Sequence, residues 1–266
     1  KNKMTELDGD VSYIGLPTSV IHSLNFDQEV SRSAIGQPIG SFYAYKEDGL
    51  FQSEAEIKSY TNNKGELLQP NAKPGDIKFV DVNGDGVIDG NDRDYIGNPL
   101  PDVTAGLTLG VNFHNFDLSL FFQGMFGNDV YDLTRYVGDF YNQSQYNKNS
   151  RVVNAWTPTN TNTDIPRVTM DDPNNNIRPS SYYVQDASFV RLKNMKIGYS
   201  VPQSILSKIK FNSLYIYAQA TNLFTITGYD GIDPEVGLQS YSSDYRNLDM
   251  GVDRGIYPLS RTFTFG

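Results

Sequence analysis

The sequence of 266 residues contains no cysteine, a single tryptophan and only two histidines. Without cysteine the chain can form neither a disulfide framework nor a zinc–thiolate site, although this absence does not identify a cellular compartment. The chain also lacks an excess of positive charge, because 22 Lys and Arg stand against 31 Asp and Glu, for a net charge of −9. Binding to nucleic acid needs basic patches, so no nucleic-acid partner is expected.

Long apolar runs are missing as well, and none approaches the roughly 18 to 20 residues that a membrane helix needs. This excludes a helical membrane protein but not a transmembrane β-barrel, whose strands are about 9–11 residues long and alternate in polarity. The opening residues, 1–6, are polar and unlike a secretion signal, so we expect a fragment or a processed piece of a longer chain.

The apolar residues that are present occur in short alternating segments. Residues 104–113 and 116–123 alternate between apolar and polar side chains around a short turn, which predicts a long hairpin. Further strands are predicted at 189–201, 211–222 and 259–266. A helix is predicted at 53–60, where Ser53 can cap the first turn.

One predicted strand changes phase. Its apolar positions are even at Val190 and Leu192 but odd from Met195 onward. A β-bulge near Lys193 and Asn194 would restore a single apolar face.

Loop length favours one architecture. Two long connections, 127–188 and 223–258, alternate with two short ones, as do the extracellular loops and periplasmic turns of outer-membrane barrels. A soluble β-sandwich with large loops is the alternative. We therefore divide the chain into an extracellular loop region, residues 1–103, and barrel strands, residues 104–266.

Residues 81–92, DVNGDGVIDGND, fit the calcium-loop pattern. Four neighbouring carboxylates would repel one another without a cation, so we predict a structural Ca²⁺, with a metal-free Asn/Asp/Gly turn as the alternative. Position 12 is Asp and not the usual Glu, and a predicted strand precedes the loop, so this is not a helix–loop–helix hand. The predicted ligands are Asp81, Asn83, Asp85, the carbonyl of Val87, Asp89 and Asp92.

Other candidate sites are weaker. The histidines, His22 and His114, have no nucleophile signature nearby and receive no catalytic role. Asp233 and Glu235 could suggest a glycosidase pair, but a structural loop is favoured beside Pro234. Aromatic residues of the first long connection could stack on sugars or pack within the loop. They are Tyr136, Tyr141, Tyr146, Trp156, Tyr182 and Tyr183.

An ordered series of motifs resembles the C-terminal part of the SusC/RagA family of TonB-linked outer-membrane transporters. The resemblance runs from about residue 30 onward, and no single motif carries it alone. The motifs are GQPIGSFY at 36–43, DGLF at 48–51, KPGDIKFVD at 73–81, IGNPLP at 96–101, FDL at 116–118, GNDVY at 127–131, SFVRLKN at 188–194, TNLFT at 221–225 and GIDPE at 231–235.

The resemblance implies an all-β fold, with C-terminal strands and long extracellular loops of a transmembrane β-barrel of about 22 strands and a plugged lumen. It implies uptake of oligosaccharides or peptides through the bacterial outer membrane, together with a SusD-like surface lipoprotein and driven by the TonB machinery. The few strands predicted here cannot close such a barrel, so its remaining strands, its plug and outer-membrane lipid are expected partners. The chain stops one residue after Phe265 and not on an aromatic residue, so we expect a short missing tail.

The alternative is a secreted, soluble, β-rich glycan-binding or adhesin domain stabilised by calcium. An enzyme is not expected, because no nucleophile or acid–base pair supports one.

Overall fold

The computed structural model describes residues 2–15, 28–142, 147–237 and 249–266. It contains two compact units, each assembled from separate stretches of the chain. The first boundary, after Leu100, lies close to the division predicted at 103/104, and both long connections contribute residues to the first unit. The first unit joins Lys1–Leu100, Asp129–Gln185 and Val236–Gly255, and the second joins Pro101–Asn128, Asp186–Glu235 and Ile256–Gly266.

Strands dominate both units, and the helices are short. In chain order the strands are β1 (Tyr13–Gly15), β2 (Ser31–Ala34), β3 (Ser41–Tyr45), β4 (Glu47–Leu50), β5 (Ile77–Phe79), β6 (Arg93–Gly97), β7 (Val103–Phe113), β8 (Phe116–Phe126), β9 (Asp129–Asp132), β10 (Val184–Asp186), β11 (Phe189–Ser200), β12 (Tyr215–Thr221), β13 (Thr225–Thr227), β14 (Val252–Asp253) and β15 (Thr262–Phe265). The helices are α1 (Glu54–Ser59), α2 (Thr134–Gly138) and α3 (Gln203–Ile209), with 3-10 turns at Gly90–Asp92, Ser150–Asn154 and Ser181–Tyr183.

The second unit is built on one antiparallel sheet with the strand order β15-β12-β11-β8-β7. The predicted hairpin is confirmed: β7 pairs with β8 from Val103 opposite Phe126 to Phe113 opposite Phe116. β11 then pairs with β8 on one edge, and with β12 and β13 in succession along the other.

The predicted β-bulge is also confirmed. Leu192 lies opposite Phe122, whereas Asn194 lies opposite Phe121, so Lys193 is the extra residue of β11. Because side chains alternate along a strand, this extra residue moves Met195 onto the same side of the sheet as Leu192.

The bulge thereby gives the sheet one continuous apolar face. Its members, which we call the apolar face, are Leu107, Leu109, Val111, Phe113, Phe116, Leu118, Leu120, Phe122, Leu192, Met195, Ile197, Tyr199, Ile216, Ala218, Ala220, Phe263 and Phe265. The opposite side, which we call the polar face, carries Thr108, Gly110, Asn112, Asp117, Ser119, Lys196, Gly198, Ser200, Tyr215, Tyr217, Gln219 and Thr264.

Much of the apolar face is exposed. Phe113 is 67% and Phe265 77% exposed, and all eleven residues of β7 are exposed. Exposed apolar side chains on neighbouring strands form the kind of large patch that water-soluble monomers rarely carry. The face therefore needs an apolar neighbour, which lipid can supply.

The first unit holds the buried core of the chain. It contains a four-stranded sheet, β1-β2-β3-β6, a β4-β5 pair, and a β10-β9-β14 sheet in which β9 and β14 run parallel. Phe42, Phe79, Tyr131, Leu133 and Tyr183 are fully buried in one apolar cluster. This core lies among short strands and loops, so it is held by packing and not by long regular elements.

Aromatic side chains of the first long connection belong to that core. Tyr136, Trp156, Tyr182 and Tyr183 are all buried, and the ring centroids of Tyr182 and Tyr183 lie 5.4 Å apart. These four side chains pack within the unit and are closed to sugars, as the packing alternative predicted. Tyr141 is 38% exposed, and Tyr146 lies outside the described residues.

The predicted helix at 53–60 is confirmed as α1. Ser53 adopts an extended conformation and its side chain accepts a hydrogen bond from the N–H of Glu56. None of the helices in the described part of the chain is long and apolar enough to cross a membrane.

The two faces predict an alternating pattern of solvent access. Spin labels at Leu109, Leu120 and Ile197 should collide with lipid-soluble oxygen, and labels at Ser119 and Gln219 with a water-soluble nickel reagent. The measurement is power-saturation EPR on the full-length protein in lipid bilayers. A mixture of both responses on one face would contradict the register across the bulge.

Candidate functional site

The predicted calcium loop is closed by hydrogen bonds to its first aspartate. The carboxylate of Asp81 accepts the N–H of Gly84 at 2.8 Å and the N–H of Gly86 at 2.9 Å. Gly86 has a φ of 89°, a conformation that favours glycine and gives the sharp turn expected at position 6. The loop therefore folds back around Asp81, as the pattern predicts.

The remaining predicted ligands also receive backbone N–H groups. Asn83 Oδ1 accepts from the N–H of Asp85, and Asp85 Oδ1 accepts from the N–H of Val87, at 2.8 and 2.9 Å. Asp89 Oδ1 caps the following 3-10 turn by accepting the N–H of Asn91 at 2.8 Å.

Asp92 differs from the others because it is fully buried. Its Oδ1 accepts the N–H of Val82 and its Oδ2 accepts the N–H of Asp89, both at 2.8 Å. Asp92 thus joins the start of the loop to its end.

The donor set suits a hard cation, since every predicted ligand atom is oxygen. Within residues 2–15, 28–142, 147–237 and 249–266, however, no three Asp, Glu or His side chains are gathered as they would be around an ion. The carboxylates instead bind backbone N–H groups of their own loop. The calcium site remains a prediction.

A polar cleft adjoins the loop. It encloses about 270 Å³ between the residues after α1 and the first half of the loop. Asn62 lies at the junction, because its Nδ2 donates to the carbonyl of Gly86 at 3.2 Å and to Glu66 Oε2 at 2.9 Å. The lining residues are Thr61, Asn62, Asn63, Lys64, Leu68, Asp81, Gly84, Asp85 and Gly86.

Buried amide side chains support the strand that leads into the loop. Among the strands that the structure describes, β5 pairs with β4 alone, along one of its edges. Along its other edge, Gln69 accepts the N–H of Phe79 at 2.7 Å and donates to the carbonyl of Ile77 at 2.9 Å. Asn176 accepts the N–H of Ile77 at 2.8 Å, and Asn174 donates to the carbonyl of Ile77. Together with the hydroxyl of Tyr60, which donates to the carbonyl of Phe79 at 2.6 Å, these side chains satisfy the second edge of β5.

The same network holds a buried carboxylate. Asp76, which is fully buried, accepts from Nδ2 of Asn176 at 2.9 Å and lies 2.6 Å from Arg167 Nε. Sequence reasoning missed this network. No local pattern distinguishes these Asn and Gln residues from the many others in polar loops.

A second polar cluster lies on the polar face of the sheet. The hydroxyl of Tyr215 donates to Asp117 Oδ2 at 2.9 Å, across the intervening strand β11. Gly198 makes this contact possible, because a Cβ there would lie 2.0 Å from the Tyr215 oxygen. Lys196 Nζ lies 4.8 and 5.0 Å from the ring centroids of Tyr215 and Tyr217.

The acidic pair considered for glycosidase chemistry is bound to cations. Arg191 Nη2 lies 2.5 Å from Asp233 Oδ1, and Lys193 Nζ lies 2.8 Å from Glu235 Oε2. Burial raises the pKa of Asp233, but hydrogen bonds from Glu235 N–H, from Arg191 and from Leu259 N–H outweigh it and leave this pKa below its usual value. Both carboxylates therefore hold the loop, as favoured from the sequence.

His114 takes no part in these clusters. His114 lies in the turn between β7 and β8 with a φ of 52°, and its ring centroid is 4.3 Å from that of Phe113. His22 lies outside the described residues.

No protein-family model matches the chain, but curated relatives match it along its length. TonB-dependent receptors P3 and P26 of Formosa agariphila are 37% and 33% identical, each over the whole chain. TonB-dependent receptor SusC of Bacteroides thetaiotaomicron is 27% identical, again over the whole chain. The chain spans about a quarter of the length of these relatives, at 25%, 26% and 23%.

Solved structures show the same similarity of fold. A structure of the RagAB peptide transporter has a TM-score of 0.67 at 22% identity, over 99% of this chain and 25% of that one. The RagAB peptide importer in its closed-closed state gives 0.66 at 23% identity, with the same coverage. These likenesses confirm the predicted all-β fold class of SusC/RagA transporters.

Removal of one buried amide should loosen the strand below the loop. Asn176→Ala leaves the N–H of Ile77 without its acceptor and removes one of the donors to Asp76, which should cost about 1–3 kcal/mol. Hydrogen exchange at the Ile77 amide is the measurement, and it should become faster. Asn63→Ala, in the exposed wall of the cleft, is the matched control and should leave that exchange unchanged. Equal exchange in both variants would contradict the role given to Asn176.

Proposed function

Because this chain belongs to the SusC/RagA family of TonB-dependent receptors, we propose that it forms part of an outer-membrane importer of nutrients. The single observation that carries the proposal is the sheet of the second unit, with its exposed apolar face and its polar face. Such a sheet suits a barrel wall between lipid and an aqueous lumen. The proposal concerns the full-length protein, of which this chain supplies a portion.

We further propose that the imported nutrients are oligosaccharides or peptides. Peptides are supported by the similar structures, which are of a peptide transporter, and oligosaccharides by the motifs that resemble the SusC/RagA family. The polar face offers hydrogen-bonding groups and an aromatic pair, Tyr215 and Tyr217, which suit either class. Binding and translocation need no covalent change. The relatives are receptors, not enzymes.

The partners in this proposal follow from the family. A SusD-like surface lipoprotein would bind the transporter from outside, and the TonB machinery would supply energy through parts of the protein beyond this chain. The remaining strands would pair with the edges of β7 and β15, since unpaired backbone groups are costly in lipid. Outer-membrane lipid would cover the apolar face.

The alternative of a secreted, soluble binding domain is less well supported. A soluble domain would have to cover the apolar face with protein. Side chains such as Leu107, Val111 and Ile216 are about half exposed, at 55%, 57% and 52%. The curated relatives are also TonB-dependent receptors along the whole of this chain.

Calcium remains part of the proposal as a structural ion of the loop at residues 81–92. Its support is the spacing of the oxygen ligands, the turn at Gly86 and the neighbouring carboxylates of Asp81 and Asp85. Asp81, Asn83, Asp85 and the carbonyl of Val87 would hold the ion, with Asp89 and Asp92 completing the shell. A bound cation would offset the repulsion between these carboxylates.

The import function can be tested with the full-length protein in its host. It should fractionate with outer membranes and require detergent for extraction, and it should co-purify with a surface lipoprotein. Deletion of its gene should abolish growth on one glycan or peptide source, and so should loss of TonB, because uptake needs that energy source. An intact full-length protein that stays soluble without detergent would overturn the proposal.

The calcium loop can be tested by limited proteolysis. Asp85→Ala should increase cleavage within residues 75–100, because the loop loses a ligand, and a chelator should then add nothing. In the unchanged protein the chelator should increase the same cleavage. Asp94→Ala, an acidic residue just outside the pattern, is the control and should keep the response to chelator. Cleavage that ignores the chelator in the unchanged protein would reduce the loop to a metal-free turn.

A further inference from the structure

Charged side chains meet where the chain leaves the sheet for its second long connection and returns from it. Arg191 and Lys193 of β11 lie against Asp233 and Glu235, which follow β13. We propose that these four residues form a clamp that fixes to the sheet both segments that flank residues 236–255. This inference goes beyond the import function and concerns the second unit alone.

Arg191 is the centre of the clamp. Its side chain is only 3% exposed, and its guanidinium binds three side chains of residues 225–235. Nε donates to Thr225 Oγ1 at 2.7 Å, Nη1 to Glu235 Oε2 at 2.9 Å, and Nη2 to Asp233 Oδ1 at 2.5 Å. One side chain of β11 thereby holds β13 and the segment that follows it.

Asp233 extends the hold to the returning segment. Its Oδ1 accepts the N–H of Glu235 at 2.9 Å, on the outgoing side, and its Oδ2 accepts the N–H of Leu259 at 3.2 Å, on the returning side. A single carboxylate thus bonds to residues on both sides of the connection. Its attachment to Arg191 makes the position of both segments depend on one strand.

Glu235 has a different part in the clamp. It is 29% exposed, against 7% for Asp233, and it binds both Arg191 and Lys193. Two cations and two carboxylates leave the cluster neutral. Buried ion pairs add little net stability, but the loss of one partner is costly because the other charge stays buried. The clamp should therefore fix the positions of the two segments more than it raises the overall stability of the fold.

A neighbouring arginine provides a contrast. Arg191 and Arg261 both line a cavity of about 220 Å³ beside the clamp. Arg261 is exposed, and no ion pair joins it to an acidic residue in the described ranges. Its replacement removes a charge from the same cavity without touching the clamp.

The test is hydrogen exchange on the full-length protein in detergent, read on peptides that cover residues 229–235 and 256–259. Arg191→Met keeps a long apolar side chain but removes the charge and the donors. Exchange in both segments should accelerate together, by on the order of a hundredfold. Glu235→Gln should have a smaller effect, because Asp233 still holds the returning segment. Arg261→Gln is the control and should change neither segment.

Several results would overturn the clamp. Exchange that accelerates in 229–235 but stays slow in 256–259 would show that the segments are held independently. If Arg261→Gln accelerated exchange as much as Arg191→Met, the cause would be the loss of positive charge in the cavity and not the loss of the clamp. If Arg191→Met does not assemble, Asp233→Asn decides: it keeps the side chain's shape and should accelerate exchange in both segments. No change in that variant would reject the clamp. Uptake is measured separately, so failure of import would leave this result standing.

Discussion

The second unit depends on the alternation of side chains along its strands. Each strand presents every second residue to one side, so a single slip in register would mix the apolar and polar faces. The bulge at Lys193 prevents this where the sequence of β11 changes phase. The break between β12 and β13 lies opposite the bulge, since the N–H of Asn222 donates to the carbonyl of Lys193. One extra residue therefore sets both the continuity of the apolar face and the course of the next strand.

The first unit is stabilised in another way. Its strands are short, and the fold relies on buried aromatic packing and on side chains that replace missing backbone partners. Tyr131 and Tyr183 stack with centroids 5.3 Å apart, while Asp76 and Asp92 are fully buried among hydrogen-bond donors. Buried polar groups of this kind are tolerated only when nearly all their bonds are made. The need to make these hydrogen bonds favours one defined arrangement of the first unit, although the unit has little regular secondary structure.

The long strands, the bulge and α1 could be predicted because their signals are local: alternation, a change of phase and a capping serine. The β10-β9-β14 sheet of the first unit could not be predicted, because β9 pairs with β14 across more than a hundred residues of sequence. The calcium pattern correctly indicated the turn at Gly86, but the use of Asp92 as an acceptor for the loop's own N–H groups has no sequence signal. Asp233 could be singled out from the sequence, but only the structure brings it together with Arg191.

The side-chain amides along β5 have a consequence for the behaviour of the unit at high concentration. An unpaired strand edge can recruit a strand from another molecule, which is a common start of aggregation. At β5 the second edge is buried and already occupied, since Gln69, Asn174 and Asn176 use N–H and carbonyl groups that an incoming strand would need. A further strand would itself present a new unpaired edge, whereas hydrogen bonds from side chains terminate the sheet at β5. A strand from another molecule would therefore have to displace these side chains before it could pair with β5.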